Sequence, residues 1–184
     1  NGANHLGNYE PFNVSALNGT ICVATQRPSG HLGNLNAGLR MFRFIEDDCI
    51  VANDARIVKF TTPIAQRNDM ITSYYNIQDH NQYNESIVSS NALSVDMVVL
   101  PGAPIDSYTK LPIPTIAVGT ESGVSIMRDT GDTVDLGYTS TNDHNRGIIL
   151  TKSGKVRYLA RSLHTNTPGG GNFFIFSYTN PVTD

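Results

Sequence analysis

The chain has 184 residues, of which 39% are apolar and only 16% charged, and its formal net charge is −3. That length suits one domain burying roughly 70% of its unfolded surface, and Leu, Ile, Val and Phe are too frequent for a disordered chain. The acidic balance argues against nucleic-acid binding, which needs a basic face to displace counterions, and no apolar run approaches the ~20 residues that span a bilayer.

Residues 1 to 10 read as a loose polar lead-in. A strand pattern begins at Phe12, and Asn18-Gly19 makes a hairpin turn before Thr20 to Thr25. A Gly- and Asn-rich loop from Pro28 to Asn34 precedes a strand from Gly38 to Ile45. The acidic turn Glu46-Asp47-Asp48 leads to Cys49 to Ala52, and Asn53-Asp54 turns into Arg56 to Phe60. Met70 to Tyr75 has strand composition, and Gln78 to Ser86 reads as a polar loop. Val95 to Leu100 is a strand; Pro101, Pro104, Pro112 and Pro114 then bracket a rigid connection, because proline cannot donate to a sheet ladder.

Thr115 to Leu136 is the clearest stretch. Three short apolar runs are separated by the turns Glu121-Ser122-Gly123 and Asp129-Thr130-Gly131-Asp132, the pattern of an antiparallel meander. After Asp143-His144-Asn145 the pattern resumes with Gly147 to Thr151, a turn at Lys152-Ser153-Gly154, and Lys155 to Ala160. Thr167 to Gly171 is a loop, and Phe173 to Tyr178 is the last strand. No segment reads as a helix.

Ile21-Cys22-Val23-Ala24-Thr25 and Ile116-Ala117-Val118-Gly119-Thr120 share an Ile-x-Val-x-Thr frame, followed by Gly38-Leu39 and Gly123-Val124 respectively. The frames start 95 residues apart, about two units of roughly 47 residues, near the period of a four-stranded propeller blade. The expected fold is therefore all-β, with β-propeller-like four-stranded antiparallel blades; a β-sandwich is the alternative. One domain over 1–184 is expected, with repeat units at 11–60, 93–138 and 144–180. Within the second unit the strands fall at Val95 to Leu100, Thr115 to Gly119, Val124 to Arg128 and Thr133 to Tyr138, and the next blade begins at Ile148. The opening Asn1-Gly2-Ala3-Asn4 reads as the interior of a longer polypeptide.

The wording Leu111-Pro112-Ile113-Pro114-Thr115-Ile116-Ala117-Val118-Gly119-Thr120, with Gly123-Val124-Ser125 and Asp129-Thr130-Gly131-Asp132, resembles propeller-type segments of environmental marine phage virion proteins. The resemblance covers about residues 93 to 180. It implies a tail or host-recognition role and carries no catalytic signature. Low charge with abundant Asn, Ser, Thr and Gly also suits an extracellular or virion protein.

Candidate sites are few. Asp129, Gly131 and Thr133 fit part of the Asp-box of sialidase-like propellers, whose Asp caps a hairpin turn and takes no part in catalysis; Met127 and Val134 do not fit. Asp129, Asp132 and Asp135 lack a full Ca²⁺-loop spacing and read as turn acids. Glu46, Asp47 and Asp48 could supply an acid and a nucleophile to a glycan hydrolase only with pocket geometry. The histidines are scattered, and Cys22 and Cys49 sit in apolar runs as core thiols, one bridge being the alternative. No cofactor or metal is expected. Tyr74, Tyr75 and Tyr83 beside His80, Asn81 and Asn84 form the most ligand-like mixture, since aromatic faces stack on sugars while amides bond their hydroxyls. The expected function is a non-catalytic module that binds a glycan or host surface, with self-association or other virion subunits as further partners. A glycan hydrolase and a pure scaffold subunit are the alternatives.

Overall fold

The computed structural model describes residues 10–26, 37–54, 57–61, 77–79, 86–137, 143–162 and 172–179. They form thirteen strands and no helix. The strands make three antiparallel meanders, each running in chain order from its first strand outward. The first sheet holds β1 (Glu10–Leu17), β2 (Thr20–Gln26), β3 (Gly38–Arg43), β4 (Asp48–Ala52), β5 (Ile57–Phe60) and β6 (Ile77–Asp79). The middle sheet holds β7 (Ala92–Val98), β8 (Thr115–Thr120), β9 (Gly123–Met127) and β10 (Thr133–Gly137). The third holds β11 (Asp143–Leu150), β12 (Lys155–Ser162) and β13 (Asn172–Thr179).

The turns form where the residues allow left-handed backbone. Asn18 (φ 49°) and Gly19 (φ 77°) close the β1–β2 hairpin, as an Asn-Gly pair predicts. The β9–β10 turn closes with Gly131 N–H on Arg128 O at 3.0 Å and Arg128 N–H on Asp132 O at 2.8 Å.

The middle sheet lies between the other two and buries both of its faces. One core gathers Cys22, Leu39, Met41 and, packed against them, Leu17 from the first sheet, with Val95, Met97, Ile116 and Val118 from the middle sheet. The other gathers Val98, Ala117, Val124 and Ile126 from the middle sheet with Ile148, Leu150, Val156 and Tyr158 from the third. Alternation along each strand sends successive side chains to opposite faces, so one sequence of mixed apolar residues serves two cores.

The three first hairpins share a β-bulge. The ladder skips Phe12 between Pro11↔Thr25 and Asn13↔Ala24, Leu93 between Ala92↔Thr120 and Ser94↔Gly119, and Arg146 between Asn145↔Ala160 and Gly147↔Leu159. Aligning the bulges makes Val14, Val95 and Ile148 equivalent, as are Cys22, Ala117 and Arg157. The shared Ile-x-Val-x-Thr frame falls on β2 and β8, the second strand of its sheet in each case. Each frame ends in the same lock: Thr25 Oγ1 donates to Gly38 O, and Thr120 Oγ1 to Gly123 O, both at 2.9 Å. Both glycines have positive φ, 125° and 154°.

Three expectations need correction. The 95-residue spacing spans one sheet and not two blades, because the first meander continues through β5 and β6 before the middle sheet begins. The sheets accordingly hold six, four and three strands among the described residues, not four each. Gln78 and Asp79, read as loop, pair with Lys59 and Val58 on β6. The third sheet begins at Asp143 rather than Ile148, since the bulge at Arg146 lets the ladder run on through polar residues. Met70 to Tyr75 lie outside the described residues.

Candidate functional site

Tyr74, Tyr75, His80, Asn81, Tyr83 and Asn84, the ligand-like mixture in the sequence, lie outside the described residues. The described residues instead form a cleft of about 260 Å³ where the ends of the first and middle sheets meet. Its apolar floor includes Met41, Ile116 and Met127; Arg43, Glu46, Asp106 and Arg128 stand on its walls.

The wall from the first sheet is fully paired. Asp48, which is buried, receives Arg43 Nε on Oδ1 at 2.6 Å and Arg43 Nη2 on Oδ2. Lys59 Nζ lies 3.0 Å from Oδ2, and Glu46 Oε1 lies 3.5 Å from Arg43 Nη1. Burial works against the charged carboxyl of Asp48, but the hydrogen bonds and charges of Arg43 and Lys59 outweigh it and hold its pKa below the ordinary value. Asp48 is therefore an ion-pair anchor, not the proton donor that a hydrolase needs.

The roof is the connection between β7 and β8. The sequence read it as rigid, and its hydrogen bonds explain why. Asp106 N–H donates to Leu111 O at 2.9 Å, Lys110 N–H to Asp106 O at 3.0 Å, and Ile113 N–H to Pro104 O at 2.8 Å. Asp106 Oδ1 accepts from Thr109 N–H at 2.6 Å and Tyr108 N–H at 2.9 Å, an Asx turn. The Thr109 N–H leads the groups that hold the Asp106 carboxyl below its usual range, against the opposing effect of burial; the Thr109 side chain, the Tyr108 N–H and the charge of Arg43 lower it further. Asn18 Nδ2 ties this roof to the first hairpin through Pro112 O at 2.7 Å. The turn leaves Tyr108 70% exposed between Asp106 and Thr109, and Phe44, next to Arg43, is half exposed.

The wall from the middle sheet is less complete. Arg128 Nη1 lies 3.2 Å from Asp132 Oδ2, but its buried Nε has no hydrogen-bond partner in the protein. Thr115 Oγ1 and Thr133 Oγ1, at the same end of this sheet, are also buried and unpartnered.

The remaining candidates separate. Asp132 pairs with Arg128, while Asp135 accepts Ser125 Oγ at 2.5 Å on the β9–β10 ladder. Burial raises the Asp135 pKa, against the Ser125 hydrogen bond. Among the described residues no three His, Cys, Asp or Glu side chains gather to hold a metal ion. Cys22 and Cys49 are both buried thiols outside any disulfide, and burial pushes the Cys22 thiol up to about 12, which leaves it inert.

Comparison with protein-family models, with curated proteins and with solved structures finds no match to this chain. Asp106, Tyr108 and Arg128 were missed in the sequence; the Asp-x-x-Thr turn between Pro104 and Pro112 was the available signal, because it marks a built loop rather than a spacer.

Proposed function

We propose that this chain is a stack of propeller-type blades that acts as a non-catalytic glycan-recognition module on a virion or other extracellular surface. The cleft carries the reading. An apolar floor, fixed polar walls and an exposed Tyr108, adjacent in sequence to the lining residue Thr109, are what a sugar needs: C–H faces stack on an aromatic ring, and hydroxyls bond the walls. Its volume of about 260 Å³ lies just below the usual range for ligand clefts, which suits one sugar residue rather than an extended chain.

Two carboxyls support binding over hydrolysis. A glycosidase pairs a carboxylate with a carboxylic acid of raised pKa. Asp106, in the cleft wall, is held below the ordinary value, whereas Asp135, which is held above it, does not line the cleft. The blade reading rests on the shared bulges, the repeated Thr–Gly lock and the two cores built from equivalent positions. The marine phage resemblance of residues 93 to 180 agrees with a surface role.

The test is a panel of marine and bacterial polysaccharides scored for retention and for released sugar. Retention without release is expected, with Tyr108→Ala weakening it about tenfold, the loss of roughly one stacking contact. Released sugar would establish the hydrolase alternative. Retention that ignores both Tyr108→Ala and Arg128→Met would remove the cleft from the proposal.

A further inference from the structure

Four charged side chains line the cleft, two of each sign: Arg43 and Arg128 against Glu46 and Asp106. Their partners inside the protein serve them unequally. Arg43 binds Asp48 and lies 3.5 Å from Glu46. Asp106 is fixed by the N–H groups of Thr109 and Tyr108, at 2.6 and 2.9 Å. Arg128 has Asp132 at 3.2 Å, but that carboxylate is 51% exposed and outside the lining, and the buried Arg128 Nε has no protein partner. Of the four, Arg128 has the most capacity left for a ligand. A guanidinium can only donate hydrogen bonds, and the carboxylates of Glu46 and Asp106 can only accept them.

The balance of charge favours a neutral ligand. A uronic acid or a sulfated sugar on Arg128 would bring a further anion into a lining that already holds Glu46 and Asp106. An ammonium would in turn face Arg43 and Arg128, and like charges across a site oppose binding. The rest of the lining is mainly apolar: Met41, Ile50, Ile116 and Met127 from the sheets, with Leu111 and Ile113 from the roof. A plain hexose has little to offer that surface. Its one apolar patch is the C–H face of the ring, which the glycan reading gives to Tyr108. A hydroxyl seated on the floor would lose water and gain no partner. An acetamido group fits what remains: its methyl is apolar, its carbonyl oxygen accepts from a guanidinium, and its N–H donates to a carboxylate.

We infer that the sugar residue this cleft takes is a neutral N-acetylated amino sugar, with the acetyl methyl on the apolar floor and the carbonyl oxygen accepting from the Arg128 guanidinium. The inference rests on the glycan reading above and narrows it to one class of sugar.

The test varies the sugar, so that it does not depend on a variant folding. N-acetylglucosamine and N-acetylgalactosamine are compared with glucose, galactose, glucosamine and glucuronic acid on the unaltered chain, by titration and by saturation-transfer NMR. The two N-acetyl sugars are expected to bind about tenfold tighter or more, as a methyl group in an apolar pocket implies, with the acetyl methyl the most strongly saturated group. Arg128→Met, checked for folding by circular dichroism, should remove most of that preference. Glucose or glucuronic acid binding as tightly as the N-acetyl sugars overturns the inference, as does binding that leaves the acetyl methyl unsaturated. Binding of none of the six also overturns it. The polysaccharide panel then separates the two readings: a polymer without acetamido groups that is retained leaves glycan recognition standing, whereas retention of no polymer removes both.

Discussion

The first and middle sheets share a backbone plan and differ in their polar ends. Both bulge at the same point of the first hairpin, and both lock the second strand to the third through a threonine hydroxyl and a glycine carbonyl. Towards the cleft, which Arg43 and Arg128 line, the first sheet closes its charges in an Arg43–Asp48–Lys59 cluster, while the middle sheet leaves Arg128 Nε and, outside the lining, Thr115 Oγ1 and Thr133 Oγ1 without partners. A buried polar group without a partner costs about 1–3 kcal/mol. The repeated features hold the fold; of the features that diverge, Arg128 Nε is the one whose side chain lines the cleft.

The sharpest way to separate the two locks is at their glycines. A Cβ on Gly38 would meet Ala52 O at 2.1 Å, because β4 runs directly beside it. Gly38→Ala should cost about 3 kcal/mol or more in denaturant unfolding, since backbone must move. Gly123→Ala carries the penalty of φ 154° and should cost about 1–3 kcal/mol. Equal costs would mean that the two locks are not constrained differently.

The ion cluster comes next. Asp48→Ala would strip Lys59 and Arg43 of their shared carboxylate, leaving Glu46 beside Arg43, and should destabilise by about 2–3 kcal/mol, below the range for fully buried pairs because both cations are partly exposed. The pH dependence follows from the sign of the shift. The Asp48 pKa is lower in the folded state, so its contribution is complete above the ordinary aspartate value of about 3.9 and is lost as pH falls through the folded value. The acid limb of the stability curve should flatten in Asp48→Asn.

Smaller effects test whether the locks are alike. Thr25→Val and Thr120→Val should each cost about 1–2 kcal/mol, as each leaves a buried carbonyl short of one donor. Similar values would support one repeated device. The smallest effect is at Asp135, whose pKa is raised by burial. Its contribution is present below the ordinary value and lost as pH rises through the folded one. Asp135→Asn should therefore raise Tm slightly at pH 7, and the gain should vanish near pH 3.

Much of the strand order was legible because it depends on local chemistry. Asn18-Gly19, Gly131 and Gly154 mark turns by their φ values, and alternating apolar runs such as Val95 to Val98 mark strands whatever they pack against. The β11 start was misplaced because Asp143-His144-Asn145 looks like loop, and only the ladder to β12 shows that polar residues continue the strand. The cleft was missed for a related reason. Arg43 and Arg128 are 85 positions apart, and nothing local to either announces that the sheet ends converge.

By itself the sequence determined an antiparallel all-β chain with a repeated Ile-x-Val-x-Thr frame, since turn conformation and two-residue alternation are properties of neighbours along the chain. Which faces meet, how the 95-residue interval is spent, which carboxyls are paired and where a cleft opens were decided only by the tertiary structure. Those outcomes depend on contacts between residues far apart in the chain. Val14 and Val95 make the point: they are the same residue at the same position, and only the presence of a neighbouring sheet buries one and leaves the other exposed.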